Sequence, residues 1–256
     1  MNADVIYVTE SGSGDGTSWS SAASLEDALS WAAAGDEVFV AKGTYTGSFK
    51  LRVAAKVYGN CVGTETEPPT YTSAEGLETF LKGPGGKRVL YLDGKASEIY
   101  GLDISGGDAS TETTGVGRGG GVYINNGGAT LKYCNIHDNI GVDGSKNILG
   151  SNGKALKGVG GGLYILNGRL ENCIIENNIA TTAPWEDTSK TWSTGIGGGI
   201  CLDATEGNGC NPDNAVVLNC IIRNNSTTPT DDGDSFQSQG AVSYTHLRAH
   251  ETKANL

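Results

Sequence analysis

The side chains whose types could carry acid–base chemistry in this 256-residue chain are Asp103, His137, Glu176 and Arg223. The last three occupy equivalent positions in three repeated segments, so we expect one outward column, with Asp103 on the same side. Neighbouring strands lie about 4.8 Å apart, and carboxylates two strands away fall near the separation that paired glycosidase carboxylates need. The column nevertheless changes residue type freely, which is typical of a solvated face. We therefore favour a structural role for these side chains and keep catalysis as the alternative.

The elements that must position these residues are internal repeats. A triple-glycine segment begins at Gly119, Gly160 and Gly197, and each copy continues with an alternating apolar stretch. A second segment of the form Leu/Val-x-x-Cys-x-Ile-x-x-Asn follows each copy, and a fourth version with leucine in place of cysteine begins at Ile99. The period-two alternation predicts short strands. Such strands bury a core only when they stack coil upon coil, so the repeats indicate a solenoid.

The alternation also predicts which side chains face the core. The two inward columns are Leu102, Cys134, Cys173 and Cys220, and Ile104, Ile136, Ile175 and Ile222. Because leucine shares their column, we interpret these cysteines as small apolar core residues. Asn139, Asn178 and Asn225 end the segments, where we expect left-handed backbone and a stacked amide ladder. The glycine triplets are expected to supply tight bends and close backbone approach rather than a phosphate-binding loop.

The N-terminal stretch predicts a strand followed by a short capping helix. Residues 6–8 alternate as a strand, and Ser24 begins a capping-box pattern that is completed at Asp27. Four apolar residues then share one helical face, and the helix is expected to end near Gly35. A helix placed before the first coil would cover the open apolar end of the solenoid.

Together these motifs resemble the N-terminal half of right-handed parallel β-helix repeat proteins. That group includes bacterial surface proteins with polymorphic-membrane-protein-like repeats, within the pectate-lyase-like fold. The segments that carry the resemblance are residues 6–8, 14–19, 35–45, 57–59 and 63–66, the glycine-led starts and the Ile-x-x-Asn ends. One departure is Asn60-Cys61, where the family usually has Gly-Phe. The resemblance covers roughly residues 4–240.

The resemblance implies an all-β fold, a right-handed parallel β-helix with a short N-terminal capping helix and about five coils. The single domain would span residues 1–241, with residues 1–45 as the strand, helix cap and first coil, and residues 88–241 as the glycine-led repeats. It also implies an extracellular or outer-membrane surface location. This copy begins without the apolar segment of a secretory signal.

The last residues, 242–256, resemble the translation of a transposase sequencing adapter, as found in metagenomic gene sequences. We therefore predict a non-native tail on a fragment whose further coils are missing. An uncapped last coil would expose strand edges and core, which predicts self-association. Without the tail, His246 and His250 disappear, and a Ser-His-Asp triad or a histidine metal cluster becomes hard to build.

The composition excludes several classes of protein. With 40 glycines the chain is no helical bundle, and its net charge of −11 argues against nucleic-acid binding. The same charge predicts repulsion of acidic polymers. No apolar run reaches the length of a membrane-spanning helix.

Two long loops, which join Asn139 to Gly160 and Asn178 to Gly197, are expected to emerge at one corner and to wall a groove. The candidate ligand-binding residues in the second loop are Trp185, Asp187, Lys190 and Trp192. Aromatic faces beside polar groups suit sugar rings, so a glycan or a host-surface ligand is the predicted partner. The alternative, which we favour for the tryptophans themselves, is that they pack over outward apolar residues such as Ile174 and Ile221.

Metal and disulfide sites are weakly indicated. Asp231, Asp232 and Asp234 form an acidic glycine turn that could bind calcium, but a solvated loop is favoured because the EF-hand spacing is missing. We expect no other cofactor. A disulfide between Cys201 and Cys210 could close a small loop, and the cysteine spacing fits no zinc pattern.

These features predict a non-catalytic, exported surface protein that acts by adhesion or glycan contact along its repetitive face. The alternative is a polysaccharide lyase or glycoside hydrolase that acts in a loop-walled groove. A bare structural stalk is the third possibility.

Overall fold

The computed structural model describes residues 4–94, 96–125, 127–143, 158–182, 195–202 and 215–227, and the backbone of residues 242–244. This part of the chain has one α-helix, α1 (Leu25–Trp31), preceded by a 3₁₀ turn at Trp19–Ser21. The strands in chain order are β1 (Val5–Val8), β2 (Glu37–Ala41), β3 (Gly43–Thr46), β4 (Phe49–Leu51), β5 (Lys56–Cys61), β6 (Thr79–Lys82), β7 (Leu90–Leu92), β8 (Glu98–Tyr100), β9 (Asp103–Ser105), β10 (Val122–Ile124), β11 (Ala129–Lys132), β12 (Asn135–His137), β13 (Ile140–Val142), β14 (Leu163–Ile165), β15 (Gly168–Glu171), β16 (Ile174–Glu176), β17 (Ile179–Thr181), β18 (Ile200–Leu202), β19 (Ala215–Leu218), β20 (Ile221–Arg223) and β21 (Val242–Tyr244).

Three parallel sheets wind around one core. The first sheet has the order β1-β2-β5-β8-β11-β15-β19, the second β3-β6-β9-β12-β16-β20, and the third β4-β7-β10-β14-β18-β21. Each coil contributes one strand to each sheet in the same sequence, and β13 pairs separately with β17. Because parallel crossover connections are right-handed almost without exception, the fold is the right-handed parallel β-helix predicted from the sequence. The described strands complete six coils, one more than the five expected.

The inward columns predicted from the alternation form the core. Leu102, Cys134 and Cys173 are at most 2% exposed, whereas Cys220, on the last described coil, is half-buried. The Cys173 thiol donates to a carbonyl oxygen of its own chain segment, that of Glu171, at 3.3 Å. Burial raises its pKa far above the ordinary value, so the thiol stays neutral. The cysteines therefore act as small core residues, as predicted.

The predicted asparagine ladder runs through the core side of one corner. Asn139 Nδ2 donates to Asn178 Oδ1 at 3.0 Å, and Asn178 Nδ2 donates to Asn225 Oδ1 at 2.9 Å. Asn139 Oδ1 accepts from the backbone N–H of Gly107, which extends the ladder by one coil. Asn139 and Asn178 are fully buried, so the amide groups satisfy polar atoms that water cannot reach.

The left-handed backbone at this corner was predicted one residue too late. Positive φ angles of 52° to 55° fall on Asp138, Asn177 and Asn224, each of which precedes a ladder asparagine. The chain therefore turns at these exposed residues, and the turn directs the next side chain into the core. The ladder residues serve as hydrogen-bonding groups rather than as turn formers.

The glycine triplets act as predicted. Gly119, Gly160 and Gly197 have φ between 58° and 66°, a conformation that glycine adopts at little cost. A Cβ on Gly120 would lie 2.1 Å from the carbonyl oxygen of Ile140, so the neighbouring backbone leaves room for glycine only.

Helix α1 closes the N-terminal end of the core. Ser24 Oγ accepts from the Asp27 N–H at 3.1 Å and donates to the Asp27 carboxylate at 2.8 Å, which is a side-chain version of the predicted capping box. The buried face consists of Leu25, Ala28, Leu29 and Ala32. The helix ends at Trp31, earlier than predicted, because Ala32 is already extended and Gly35 forms the turn that follows.

Strand β21 pairs in parallel with β18, so the boundary proposed at residues 241 and 242 lies directly before a paired strand. The origin of residues 242–256 stays a prediction.

Candidate functional site: the outer face of the second sheet

The four residues singled out for chemistry lie on the outer face of the second sheet. Strands β6, β9, β12, β16 and β20 place two columns of side chains there: Phe80, Asp103, Asn135, Ile174 and Ile221, and beside them Lys82, Ser105, His137, Glu176 and Arg223. We call these ten residues the His137 face. Its members alternate with the inward isoleucine column because successive side chains of a strand point to opposite sides.

Asp103 belongs to the neighbouring column rather than to that of the other three. Its register partner is Asn135, while His137 lies opposite Ser105. All four side chains project from the same side of the sheet, as predicted. Asp103 and His137 lie on neighbouring strands, but diagonally rather than directly opposite each other. The imidazole is long enough to cover that diagonal.

His137 is held between two carboxylates. Nε2 lies 2.9 Å from Asp103 Oδ1, and Nδ1 lies 2.7 Å from Asp138 Oδ2. The hydrogen bond to Asp103, supported by the bond to Asp138, raises the pKa of His137 to about 9 against the opposing effect of burial. At neutral pH the ring is therefore an imidazolium with both N–H groups donated.

Asp103 is only 7% exposed, and both of its oxygens accept hydrogen bonds. Oδ1 accepts from His137, and Oδ2 accepts from Asn135 Nδ2 at 3.0 Å. The other end of that amide, Asn135 Oδ1, is the one buried side-chain polar atom in the described ranges that lacks a hydrogen-bond partner. A buried acceptor without a donor costs stability, so this atom is a distinctive feature of the face.

Glu176 and Arg223 pair with each other across adjacent coils. Arg223 Nε donates to Glu176 Oε2 at 2.6 Å. This bond, with a contribution from the nearby Glu75 carboxylate, raises the pKa of Arg223. The predicted acid–base residues therefore form two mutually neutralising groups, and none is held as a free base or a free acid.

One edge of the face is bordered by residues 62–78, which we call the strap. Tyr71 stacks between Tyr100 and Tyr133 with ring centroids 6.0 Å from each. It occupies the space above Gly101, where a Cβ would lie 2.0 Å from the tyrosine ring. At the base of the strap, Asn60 Oδ1 accepts from the Glu78 N–H at 2.7 Å, which gives the unexplained Asn60-Cys61 departure a structural role.

The strap was missed by sequence analysis, although a signal was present. Gly101 stands at the corner position that Tyr133, Asn172 and Asn219 occupy in later coils, as the backbone pairing of the coils shows. The preceding coil has Gly59 at the same position, and glycine where later coils carry side chains indicates that another group fills the space. Sequence analysis also missed Asp138, which bonds to the neighbouring His137, because the repeat pattern does not indicate a contact between adjacent residues.

The third sheet presents a contrasting outer column. Tyr91, Tyr123 and Tyr164 follow one another in register, with Cys201 next. All four are buried, and adjacent tyrosine rings meet edge to face at 5.0 to 5.3 Å. We call them the tyrosine face.

Arg88 fixes the chain that covers the tyrosine face. Its guanidinium donates to the carbonyl oxygens of Gly119, Gly115 and Arg118 at 2.6 to 3.1 Å and lies 4.8 Å from the centroid of the Tyr123 ring. Arg88 is only 1% exposed, and its Nη1 lies 3.9 Å from Glu112 Oε2. Burial lowers the pKa of Arg88.

Several predicted site residues lie outside the described part of the chain. These are Trp185, Asp187, Lys190, Trp192, Asp231, Asp232, Asp234 and Cys210. Cys201 is buried at the end of the tyrosine face, and its proposed pairing with Cys210 stays a prediction. Within the described ranges, no group of three or more histidine, cysteine, aspartate or glutamate side chains is placed to hold a metal ion. Among the same residues no helix is long and apolar enough to span a membrane.

Comparison with known proteins finds only solved structures of low sequence identity to this chain. A scan against protein-family models gives no match, and a search of curated proteins gives none either. Solved structures that resemble the chain include an alginate lyase from Paenibacillus sp. str. FPU-7, at 18% identity and a TM-score of 0.33, covering 84% of this chain and 57% of that one. Pectate lyase Pel9A gives 12% identity, a TM-score of 0.39 and coverage of 95% and 74%. A pectin methylesterase from Aspergillus niger is 13% identical, with a TM-score of 0.39, and the match covers 99% of this chain and 93% of that one.

The chain thus spans just over half the length of the alginate lyase chain. Similarity at this level carries no inference about activity or substrate. The sheet order and the register define the chain as a parallel β-helix protein with one open polar face and one covered aromatic face.

Proposed function

We propose that this protein is a non-catalytic binding protein that is exported or displayed at the cell surface. Its His137 face would contact an extended glycan. The observation that carries the proposal is the pairing of the candidate catalytic groups. His137 donates both ring N–H groups, Asp103 accepts at both oxygens, and Glu176 is bonded to Arg223. A general base needs a free lone pair near the substrate, and a general acid needs a proton that it can release near neutral pH.

The geometry of the face suits a linear polymer. Polar side chains recur once per coil, at the strand spacing of about 4.8 Å, along a path parallel to the helix axis. Lys82 and Arg223 are exposed at its two ends, and His137 and Glu176 are half-buried between them. Such a row offers donors and acceptors along a polymer chain, which is how sites fix the orientation of sugars. The export and surface location rests on the resemblance in the sequence.

The experiment measures binding and turnover on the same protein. The full chain is tested against a panel of plant, algal and bacterial polysaccharides by affinity gel electrophoresis. Release of reducing ends and of unsaturated products is followed in parallel. We expect saturable retention by at least one polymer without product release. Arg223→Ala and Lys82→Ala are expected to weaken retention by roughly 5–10-fold, which corresponds to the loss of one or two hydrogen bonds.

A matched control is Lys50→Ala, which removes one exposed cation from a strand of the third sheet and is expected to leave retention unchanged. Turnover that is lost in Asp103→Asn or Glu176→Gln would establish the lyase or hydrolase alternative. Absence of retention by every polymer would overturn glycan binding and leave the structural stalk.

A further inference from the structure

We infer that the His137 face selects uncharged glycans and discriminates against polyuronates and sulfated polymers. This inference rests on the proposed function and names the ligand class of that site.

The first argument is the charge balance of the face. Three cations and three carboxylates lie on it or directly beside it: Lys82, His137 and Arg223, and Asp103, Asp138 and Glu176. Two of the three cations are hydrogen-bonded to carboxylates of the face. A site for a polyanion needs cations whose charge is not already neutralised, because long-range attraction follows the net local charge.

The edge of the face adds negative charge, because the strap has four glutamates and no lysine or arginine. At the base of the strap, Lys42 forms an ion pair with Glu78. The strap also brings the Glu75 carboxylate close enough to act on Arg223. Beyond the face, the whole chain carries a net charge of −11. A polyanion would therefore meet no net local attraction and would be repelled at longer range.

The second argument is the hydrogen-bonding character of the centre of the face. Asn135 Oδ1 is an acceptor without a donor, beside Asp103, whose two oxygens also accept. A ligand that satisfies an acceptor must bring a donor. Sugar hydroxyl groups donate, so this acceptor favours a hydroxylated ligand, and the charge balance is what separates neutral from acidic polymers. Asn135 Oδ1 is itself buried, so a hydroxyl reaches it only where the face rearranges on binding.

The test compares neutral and acidic polymers on the full chain at two salt concentrations. The neutral probes are unsubstituted xylan, galactan and mixed-linkage β-glucan, and the acidic probes are polygalacturonate, alginate and a sulfated galactan. Affinity electrophoresis is run at about 20 mM and about 500 mM NaCl, where screening lengths differ several-fold. We expect retention by a neutral polymer that changes by less than about 2-fold between the two, and no retention by acidic polymers.

A charge variant tests the reason for the selectivity. Glu176→Gln removes the hydrogen-bonded carboxylate from Arg223 and leaves only the more distant Glu75 to offset its charge. This variant is expected to gain retention by an acidic polymer at low salt and to lose it at high salt. The matched control is Glu26→Gln, which makes the same change in net charge on the exposed side of the capping helix and is expected to gain nothing. Melting curves confirm that both variants fold.

The outcomes separate the inference from the function on which it rests. Retention of the unmodified chain by acidic polymers, alone or together with neutral ones, overturns the inference and leaves glycan binding in place. An equal gain in both glutamine variants, or no gain in Glu176→Gln, overturns the charge-balance explanation and with it the inference. Absence of retention by all six polymers overturns the proposed function itself.

Discussion

The tyrosine face and the His137 face have the same strand geometry and opposite surroundings. In both, outward side chains alternate with an inward apolar column, coil after coil. Tyr123 and Tyr164 are nevertheless at most 4% exposed, whereas Lys82 and Arg223 are open to solvent. Strand periodicity alone cannot separate the two faces. In a solenoid, the segments that connect the strands decide which outer face remains available to a ligand.

A buried cation bonds to the segment that covers the tyrosine face. Arg88 satisfies carbonyl oxygens of the connecting segment, and its charge lies against tyrosine rings. On the His137 face the Glu176–Arg223 pair is exposed, and the pair of His137 with Asp103 is less deeply buried than Arg88. We therefore expect mutations on the tyrosine face to cost more stability than mutations on the His137 face.

Arg88→Ala should cause the largest loss of stability. It leaves several buried carbonyl oxygens without donors and the Glu112 carboxylate without its cation. Removing one partner of a buried ionic network costs about 3–5 kcal/mol in free energy of unfolding. Urea denaturation followed by fluorescence measures the effect.

The control for that variant is Arg52→Ala, which removes an exposed arginine near the same sheet. It should change the free energy of unfolding by less than about 0.5 kcal/mol. Equal costs for the two variants would mean that Arg88 does not hold the cover in place.

His137→Gln should produce an intermediate effect that depends on pH. The folded pKa of about 9 lies above the ordinary value of 6.5, so the paired imidazolium stabilises the fold fully below about pH 6.5. That contribution, at most about 3 kcal/mol, is lost as the pH rises through about 9. The difference in unfolding free energy between wild type and variant, measured from pH 6 to pH 10, should therefore shrink with rising pH.

Asp138→Asn gives a second measurement of the same pair, because it removes one of the two carboxylates that hold the ring. In this variant the stabilisation that the paired imidazolium gives should be lost at a lower pH than in wild type. A difference curve for His137→Gln that is flat from pH 6 to pH 10 would show that the ring is not held as an imidazolium.

Arg223→Ala should have the smallest effect on stability. Its ion pair with Glu176 is exposed, and exposed pairs contribute little because water and salt screen them. The urea midpoint should stay within experimental error of wild type, although glycan retention falls. A large shift in the midpoint would mean that the His137 face is part of the structural framework, as the tyrosine face is.

The core and the coil arrangement were predictable from the sequence because both follow from spacing. The cysteine and isoleucine columns and the asparagine ladder recur at fixed positions in each repeat, and the structure places them as expected. The position of the left-handed turn was wrong by one residue. Asparagine occurs both at the turn and in the ladder, as in Asn177-Asn178, so residue type did not distinguish the two positions.

The state of the candidate site was less predictable because it depends on contacts that cross columns and coils. Asp103 reaches His137 diagonally, and the strap fills the space above Gly101 from a distant segment. Neither contact follows from a repeat. Tyr91 and Tyr123 likewise contact Arg88, a residue outside the repeated pattern.

The most direct test of the proposed non-catalytic face is the pKa of His137 measured by NMR. The ring signals of the full chain, assigned by their loss in His137→Gln, are titrated from pH 5 to pH 11. We expect a midpoint near 9, which moves toward 6.5 in Asp103→Asn. A wild-type midpoint at or below 6.5 would mean that His137 is neutral at physiological pH with a lone pair available, and would contradict the account of this face as a paired, non-catalytic surface.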